Sequence, residues 1–254
     1  MLIDTHTHLY VSDFDGDRDE MILRAMASGV GQFVLPAIDS ETTAAMHSLK
    51  KQYPKEVHLM MGLHPTHVGS NVEEELAHVC EQLNTRTYVA VGEIGMDLYW
   101  DKTYQSAQQD AFARQIGWAL AYDLPIVIHC RDAFDEIFDV LEGINDKRLR
   151  GIFHCFTGDI NQAMRAIDLN MLLGIGGVVT FKNGGLAETV AQIPLKHLVL
   201  ETDAPYLAPM PYRGKRNEAA YLPIIADKLA RIYDVFPQEI AAVTTQNAKK
   251  MFGI

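Results

Sequence analysis

His6, His8, Glu93, His129, His154 and Asp203 each close a short apolar run, and each carries a nitrogen or oxygen that binds divalent metal ions. Four imidazoles and two carboxylates exceed what one ion needs, so the set predicts two divalent ions. Paired ions lower the pKa of a water held between them and polarise a phosphoryl or acyl oxygen, which is hydrolase chemistry.

The spacing around each residue carries the reading further. His6 and His8 stand two apart, and side chains two apart on a strand share a face, so both imidazoles are expected to point the same way. Glu93 lies in Gly92-Glu93-Ile94-Gly95-Met96-Asp97, at the end of an apolar run with no Arg or Lys to neutralise it. A carboxylate there can bridge two cations, and the flanking glycines permit close approach. His129 and His154 are each followed by cysteine. Alternation sends the histidine inward and the cysteine outward, so Cys130 and Cys155 are expected to be small core residues, neither ligands nor nucleophiles. Asp203 can ligate a metal or take a proton from the attacking water. Glu201, on the same face one layer deeper, is expected to orient a ligand histidine. His64, in Gly62-Leu63-His64-Pro65, is a candidate to contact the scissile group or act as an acid, with a structural histidine as the alternative. Arg131, Lys182, Lys215 and Arg216 are candidate contacts for substrate phosphate. Tyr99, Trp100 and Tyr206 are candidate base-stacking residues.

Elements must gather these groups. The expected strands are Leu2–Thr5, Gln32–Ala37, Val57–Leu63, Tyr88–Glu93, Pro125–His129, Gly151–His154, Met171–Gly176 and Leu198–Glu201. Helical patterns fall between them near Asp17–Ser28, Glu41–Gln52, Glu73–Leu83, Ser106–Tyr122, Ala133–Leu141, Ile160–Leu169 and Leu186–Gln192. Two more follow, near Ala219–Tyr233 and Pro237–Lys249. Asp159 and Asn71 are expected helix N-caps. Eight strands alternating with helices predict an α/β protein, a (β/α)₈ TIM barrel of the metallo-dependent hydrolase type, with the polar residues at the C-terminal mouth. A doubly wound open sheet would gather its ligands at one switch point between two strands, whereas here they come from six strand ends.

The 254 residues fit one barrel domain, 1–254. Three cysteines without metal-type spacing point to a reducing compartment, and no signal peptide or membrane-length apolar run is seen, so a cytoplasmic monomer is expected. The net charge of −11 argues against broad electrostatic binding to long nucleic acid. It leaves short or single-stranded ends open as substrates, because bound cations and a few local Arg and Lys can invert the field in one cleft.

With these motifs assembled, the chain resembles the TatD family of metal-dependent deoxyribonucleases among the amidohydrolase-like barrels. The match runs from Asp4-Thr5-His6-Thr7-His8 to Asn247-Ala248, through Gly62–Pro65, Gly92–Asp97, His129–Ala133, His154–Gly158 and Glu201–Leu207. The resemblance implies one ion held by His6, His8, Glu93 and Asp203, and another by Glu93, His129 and His154, with Glu93 bridging. It implies cleavage of DNA phosphodiester bonds, commonly from the 3′ end. The family's Arg-Asn-Glu-Pro stretch reads here as Arg216-Asn217-Glu218-Ala219, which puts the rigidity of that loop in question. Ligand softness favours Zn²⁺ or Mn²⁺, whereas the resemblance implies Mg²⁺. The competing readings are a same-fold hydrolase of amide or aminoacyl ester bonds and a non-catalytic metal-binding protein. Many related sites use a carboxylated lysine where this chain has Glu93, which favours the nuclease.

Overall fold

Eight parallel strands lie edge to edge in chain order in the computed structural model: β1 (Leu2–Asp4), β2 (Val30–Leu35), β3 (Val57–Met61), β4 (Ala90–Asp97), β5 (Ile126–Arg131), β6 (Gly151–Phe153), β7 (Met171–Ile175) and β8 (Leu198–Leu200). The described residues are 1–85, 87–99, 101–182 and 184–254, so Trp100, a stacking candidate, lies outside them. Helices α1 (Arg18–Ala27), α2 (Thr43–Gln52), α3 (Val72–Leu83), α4 (Gln105–Tyr122), α5 (Phe134–Ile144), α6 (Ile160–Asp168) and α7 (Leu186–Val190) connect successive strands. Helices α8 (Leu222–Tyr233) and α9 (Pro237–Phe252) follow β8. This is the TIM-barrel architecture the alternation of elements predicts.

Backbone hydrogen bonds bring the last strand to the first. Thr5 N donates to Leu200 O at 3.0 Å, Asp203 N to His6 O at 2.9 Å, and His8 N to Ala204 O at 2.8 Å. The buried Asp4 carboxyl strengthens this seam by accepting from Thr202 N at 2.9 Å, with the Thr202 hydroxyl 2.6 Å away. Burial pushes that carboxyl up to about 8, against the pull of those same hydrogen bonds.

Alternation along the strands makes two cores. Outward residues such as Phe33, Leu35, Leu59, Ile128 and Phe153 pack with the helices. Ile3, Val34, Met60, Val127, Ile152 and Val199 form a separate cluster inside the barrel, joined by Ala248 and Phe252 of α9. On α9 the buried Ile240, Thr244, Ala248 and Phe252 recur every four residues, so one face of the helix is buried. Layers of branched side chains fill the barrel interior beneath the mouth.

Several boundaries differ from expectation. β4 runs four residues beyond Glu93, through an irregular register between Val91 and Ile94, because Ile94 and Met96 keep the apolar alternation past the glycines. β1, β6 and β8 stop before His6, His154 and Asp203, so those side chains stand on the bends that leave the strands. Asp159 caps α6 in a capping box with Gln162, as predicted. Asn71 occupies the N-cap position of α3 but makes no capping bond; its amide instead donates to Glu75. Among the described residues no helix is long and apolar enough to cross a membrane.

Candidate metal centre

Glu93 stands at the middle of the mouth, buried at 2% exposure. Its Oε1 lies 2.8 Å from His129 Nδ1, 2.8 Å from His154 Nε2 and 3.2 Å from His64 Nε2. Its Oε2 lies 3.0 Å from His6 Nε2 and 3.7 Å from His8 Nε2. Asp203 Oδ1 is 3.8 Å from His6 Nε2 and 3.5 Å from His8 Nε2. Three triads have ligand atoms close enough to share an ion: His6, His8 and Asp203; His6, Glu93 and His154; His64, Glu93 and His129. All six residues expected to bind metal therefore converge, and His64 joins them.

The surroundings explain why these side chains hold their places. Gly174 makes room for Glu201, since a Cβ there would meet Glu201 Oε2 at 2.1 Å. Glu201 in turn lies under His154, with Oε1 3.6 Å from Nδ1. That accounts for the glycine-rich end of β7, which contributes no ligand. Asp132, Cys155 and Asp203 sit in the left-handed region at φ 52°, 44° and 57°. Such positions cost about 1–3 kcal/mol each and persist where neighbours over-determine them.

Polar atoms at the centre lie buried without partners. His6 Nδ1 and Nε2, His154 Nδ1 and Glu201 Oε2 are buried with no hydrogen-bond partner. Several imidazole nitrogens face carboxylate oxygens at contact distance, an arrangement that needs positive charge between them. Divalent cations of imidazole and carboxylate preference fit this donor set.

A family model described as TatD related DNase matches residues 3–253. The chain belongs to this TatD family. It is 38% identical to a Bacillus subtilis protein named uncharacterized metal-dependent hydrolase YabD, over the whole of both chains. It is 34% identical to the Citrobacter rodentium 3′-5′ ssDNA/RNA exonuclease TatD, covering 100% of this chain and 98% of that one. The crystal structure of YjjV, a TatD homologue from Escherichia coli, superimposes with a TM-score of 0.94 at 31% identity, covering 100% and 98% of the two chains. The protein is a metal-dependent hydrolase acting on ester bonds.

Charge at this TatD site is set by competition between burial and contact. Burial would raise the Glu93 carboxyl, but the imidazoles of His154, His64 and His6 outweigh it and hold it well below the usual carboxylate range. Asp203 is likewise held low against burial, by His8, His154 and His6. Burial pushes His6 down. In His129 and His154 burial acts downward too, yet their carboxylate contacts, with Asp97 and Glu93 for the first and Glu93 and Glu201 for the second, raise both.

Spacing alone had left three residues of this environment without a role. Asp97 Oδ2 lies 2.9 Å from His129 Nε2. The signal was present, because Glu93, Gly95 and Asp97 share a face of one strand and Gly95 pairs with His129. Tyr10, which holds His8, stands in a turn after β1, and Thr66, which holds His64, stands in the short 3₁₀ turn Pro65–His67, where no strand periodicity marks them.

Two expectations need correction. Cys155 lines the cleft beside Asp203 and does not face the helices, because its left-handed backbone breaks the alternation. Its thiol is pushed well up by burial and by nearby Asp203, which suits neither ligation nor attack. Cys130 packs against the core but also borders the cleft, and burial pushes it up to about 12. Arg216 is committed away from the cleft. Its guanidinium bonds both Asp17 carboxylate oxygens at 2.7 and 2.8 Å and Asp13 O at 2.8 Å, over the ring of Phe14. It ties the loop after β8 to the start of α1. Asn217 anchors the same loop by donating to Thr202 O and Tyr206 O, so the loop is held without the family's proline.

The cleft over the centre encloses about 570 Å³, with Ile38, Thr66, His67, Val178 and Leu207 among its walls. Arg131 lines it and lies 3.9 Å over the Tyr99 ring. Tyr206, 51% exposed, stands at its edge beside His8. Lys182 and Lys215 are exposed on the loops after β7 and β8. Those loops are joined by a hydrogen bond from Met210 N to Thr180 Oγ1 and by Arg213 over Phe181.

Proposed function

We propose that this TatD protein removes nucleotides from the 3′ end of single-stranded DNA, using two divalent ions held by His6, His8, Glu93, His129, His154 and Asp203. The observation that carries the reading is the placement of Glu93, whose two oxygens face separate groups of imidazoles. Its Oε2 side, with His6, His8 and Asp203, would hold one ion. Its Oε1 side, with His129 and His154, would hold the other. Bound there, such ions supply Lewis acidity toward a phosphoryl oxygen and make coordinated water more acidic. Mg²⁺, Mn²⁺ and Zn²⁺ are all admissible.

The chain's own groups then divide the work. Both Glu93 oxygens are committed to the imidazoles, so Glu93 is a holding group and not a base. Asp203 stays ionised with 9% of its surface open to the cleft, so it accepts the proton of a water aligned on phosphorus as the P–O3′ bond breaks. Arg131, at the cleft wall, stabilises charge on the phosphoryl oxygens. Lys182 and Lys215 steer the flanking phosphates, and Tyr206 offers a ring for a terminal base. The named activity of the Citrobacter relative supports the 3′ polarity and extends the substrate class to RNA. A net charge of −11 supports short single-stranded ends over long duplex. We also read residues 1–254 as one domain, a monomer, and the three unpaired cysteines as those of a cytoplasmic protein.

The test is digestion of a 5′-labelled single-stranded oligonucleotide by metal-stripped protein resupplied with each cation, beside cyclic amides and aminoacyl esters. A ladder shortening from the 3′ end supports the proposal. Turnover of the amides or esters with intact DNA refutes it.

A further inference from the structure

The imidazoles of the centre differ in which nitrogen must carry the proton. A neutral imidazole has one N–H, and its neighbours decide where it sits. His129 turns Nε2 outward to Asp97 Oδ2 at 2.9 Å, so when a metal displaces one of its protons the other stays on Nε2 and Nδ1, beside Glu93, is freed. His154 Nδ1 faces Glu201 Oε1 at 3.6 Å, beyond hydrogen-bond distance, and its Nε2 faces Glu93 Oε1 at 2.8 Å, so as a ligand it would bind through Nε2. His8 turns Nδ1 to the Tyr10 oxygen at 3.0 Å. The Tyr10 hydroxyl gives its own proton to Pro36 O at 2.6 Å, so His8 Nδ1 is the donor in that contact and Nε2 is bare. All three present to the centre the nitrogen a metal ligand would use, with the other turned outward.

His64 has the opposite arrangement. Its outward nitrogen, Nδ1, lies 3.1 Å from the backbone nitrogen of Thr66, and a backbone N–H can only donate. The Thr66 hydroxyl reaches the same atom at 2.7 Å. Nδ1 is therefore an acceptor and the proton sits on Nε2, the atom that points into the centre. The Thr66 N–H is fixed by the short 3₁₀ turn Pro65–His67, in which His64 is the N-cap. A protonated Nε2 has no lone pair for an ion, although its position 3.2 Å from Glu93 and 3.3 Å from His129 makes it part of a candidate triad.

We infer that His64 is a catalytic hydrogen-bond donor, its Nε2–H aimed at an oxygen of the scissile phosphate, and that Thr66 is the positioning residue that locks this tautomer; His64 is neither a metal ligand nor a proton-transferring acid. The inference rests on the phosphodiester reading for the identity of the acceptor oxygen. A fixed neutral N–H stabilises charge as it builds on phosphoryl oxygen without giving up a proton. His64 also lines the cleft, as that role requires.

The test uses the full chain loaded with Zn²⁺ and labelled with ¹⁵N-histidine. Signals lost in His64→Asn assign His64, and two-bond correlations report which nitrogen is protonated. The expected result is Nε2 protonated and Nδ1 bare. Nδ1 protonated with Nε2 bare overturns the inference. In parallel, His64→Ala is expected to keep the wild-type number of bound ions and lower kcat on DNA by about 10²–10³-fold. His64→Asn, which retains an N–H, is expected to recover part of that loss. Loss of an ion in His64→Ala makes His64 a ligand, and an unchanged kcat removes its catalytic role; either overturns the inference. If the wild-type protein leaves DNA intact, the nuclease reading fails, and the tautomer and ion count still decide between donor and ligand.

Discussion

Glu93→Gln is the perturbation that probes the centre most sharply, because it keeps the side chain's volume and removes its charge. In the metal-free protein the raised His129 and His154 each lie 2.8 Å from Glu93 Oε1. Two unit charges about 4 Å apart interact by about 4 kcal/mol at an effective dielectric of about 20, which is about 3 pKa units. The substitution should therefore lower the pKa of both imidazoles by about that much, while Asp97 and Glu201 still act to raise them. With ions present, the expected loss is unequal. Glu93 belongs to two of the three candidate triads, while His6, His8 and Asp203 form the third without it. One ion should survive dialysis and the other should not, and hydrolysis should fall by about 10³-fold or more, the scale of several kcal/mol of lost charge stabilisation. Histidine NMR on metal-free protein and elemental analysis of loaded protein measure both. Retention of two ions, with no fall in the pKa of His129 or His154, refutes Glu93 as the shared carboxylate.

Other substitutions separate the remaining roles. Asp97→Asn weakens the hold on His129 and should lower metal affinity by about 10–100-fold, read by competition with a chelating dye. Arg216→Ala should destabilise the fold by about 1–2 kcal/mol through its half-exposed ion pair and ring contact and leave KM for an oligonucleotide unchanged, whereas Lys215→Ala should raise KM at unchanged stability. Phe252→Ala empties part of the barrel floor and should cost about 3–5 kcal/mol in denaturant unfolding while the ion count stays at the wild-type value. The raised His129 and His154 also fix a pH dependence. Their contribution to metal-free stability is fully present below their ordinary value of 6.5 and is lost as pH rises through the raised folded values. Metal must displace those protons, so affinity should climb with pH in that window, with proton release seen by calorimetry in buffers of different ionisation enthalpy.

The barrel and the convergence of the six metal-binding candidates were legible because strand alternation and ligand type repeat around the whole chain. Glu93, His129 and Asp203 close apolar runs that only a closed sheet brings to one mouth. What stayed hidden lies where periodicity ends. Cys155 follows β6 in a left-handed bend, so parity with His154 misplaced it. Tyr10 and Thr66 reach their histidines from turns. Arg216 has the charge of a phosphate contact, but its partner, Asp17, is distant in sequence, and no local pattern announces the pair. Asp97 is readable from its four-residue spacing to Glu93, but an expected strand that ends at Glu93 leaves it outside the element, whereas β4 runs on to Asp97.

The most direct test of the account is a titration of Mn²⁺ into metal-stripped protein, with bound ions and the products of a 5′-labelled single-stranded oligonucleotide counted in the same samples. The account predicts that shortening from the 3′ end rises with metal and levels off at two ions per chain. Cleavage by protein holding no ion, or intact DNA on protein holding two, would contradict it.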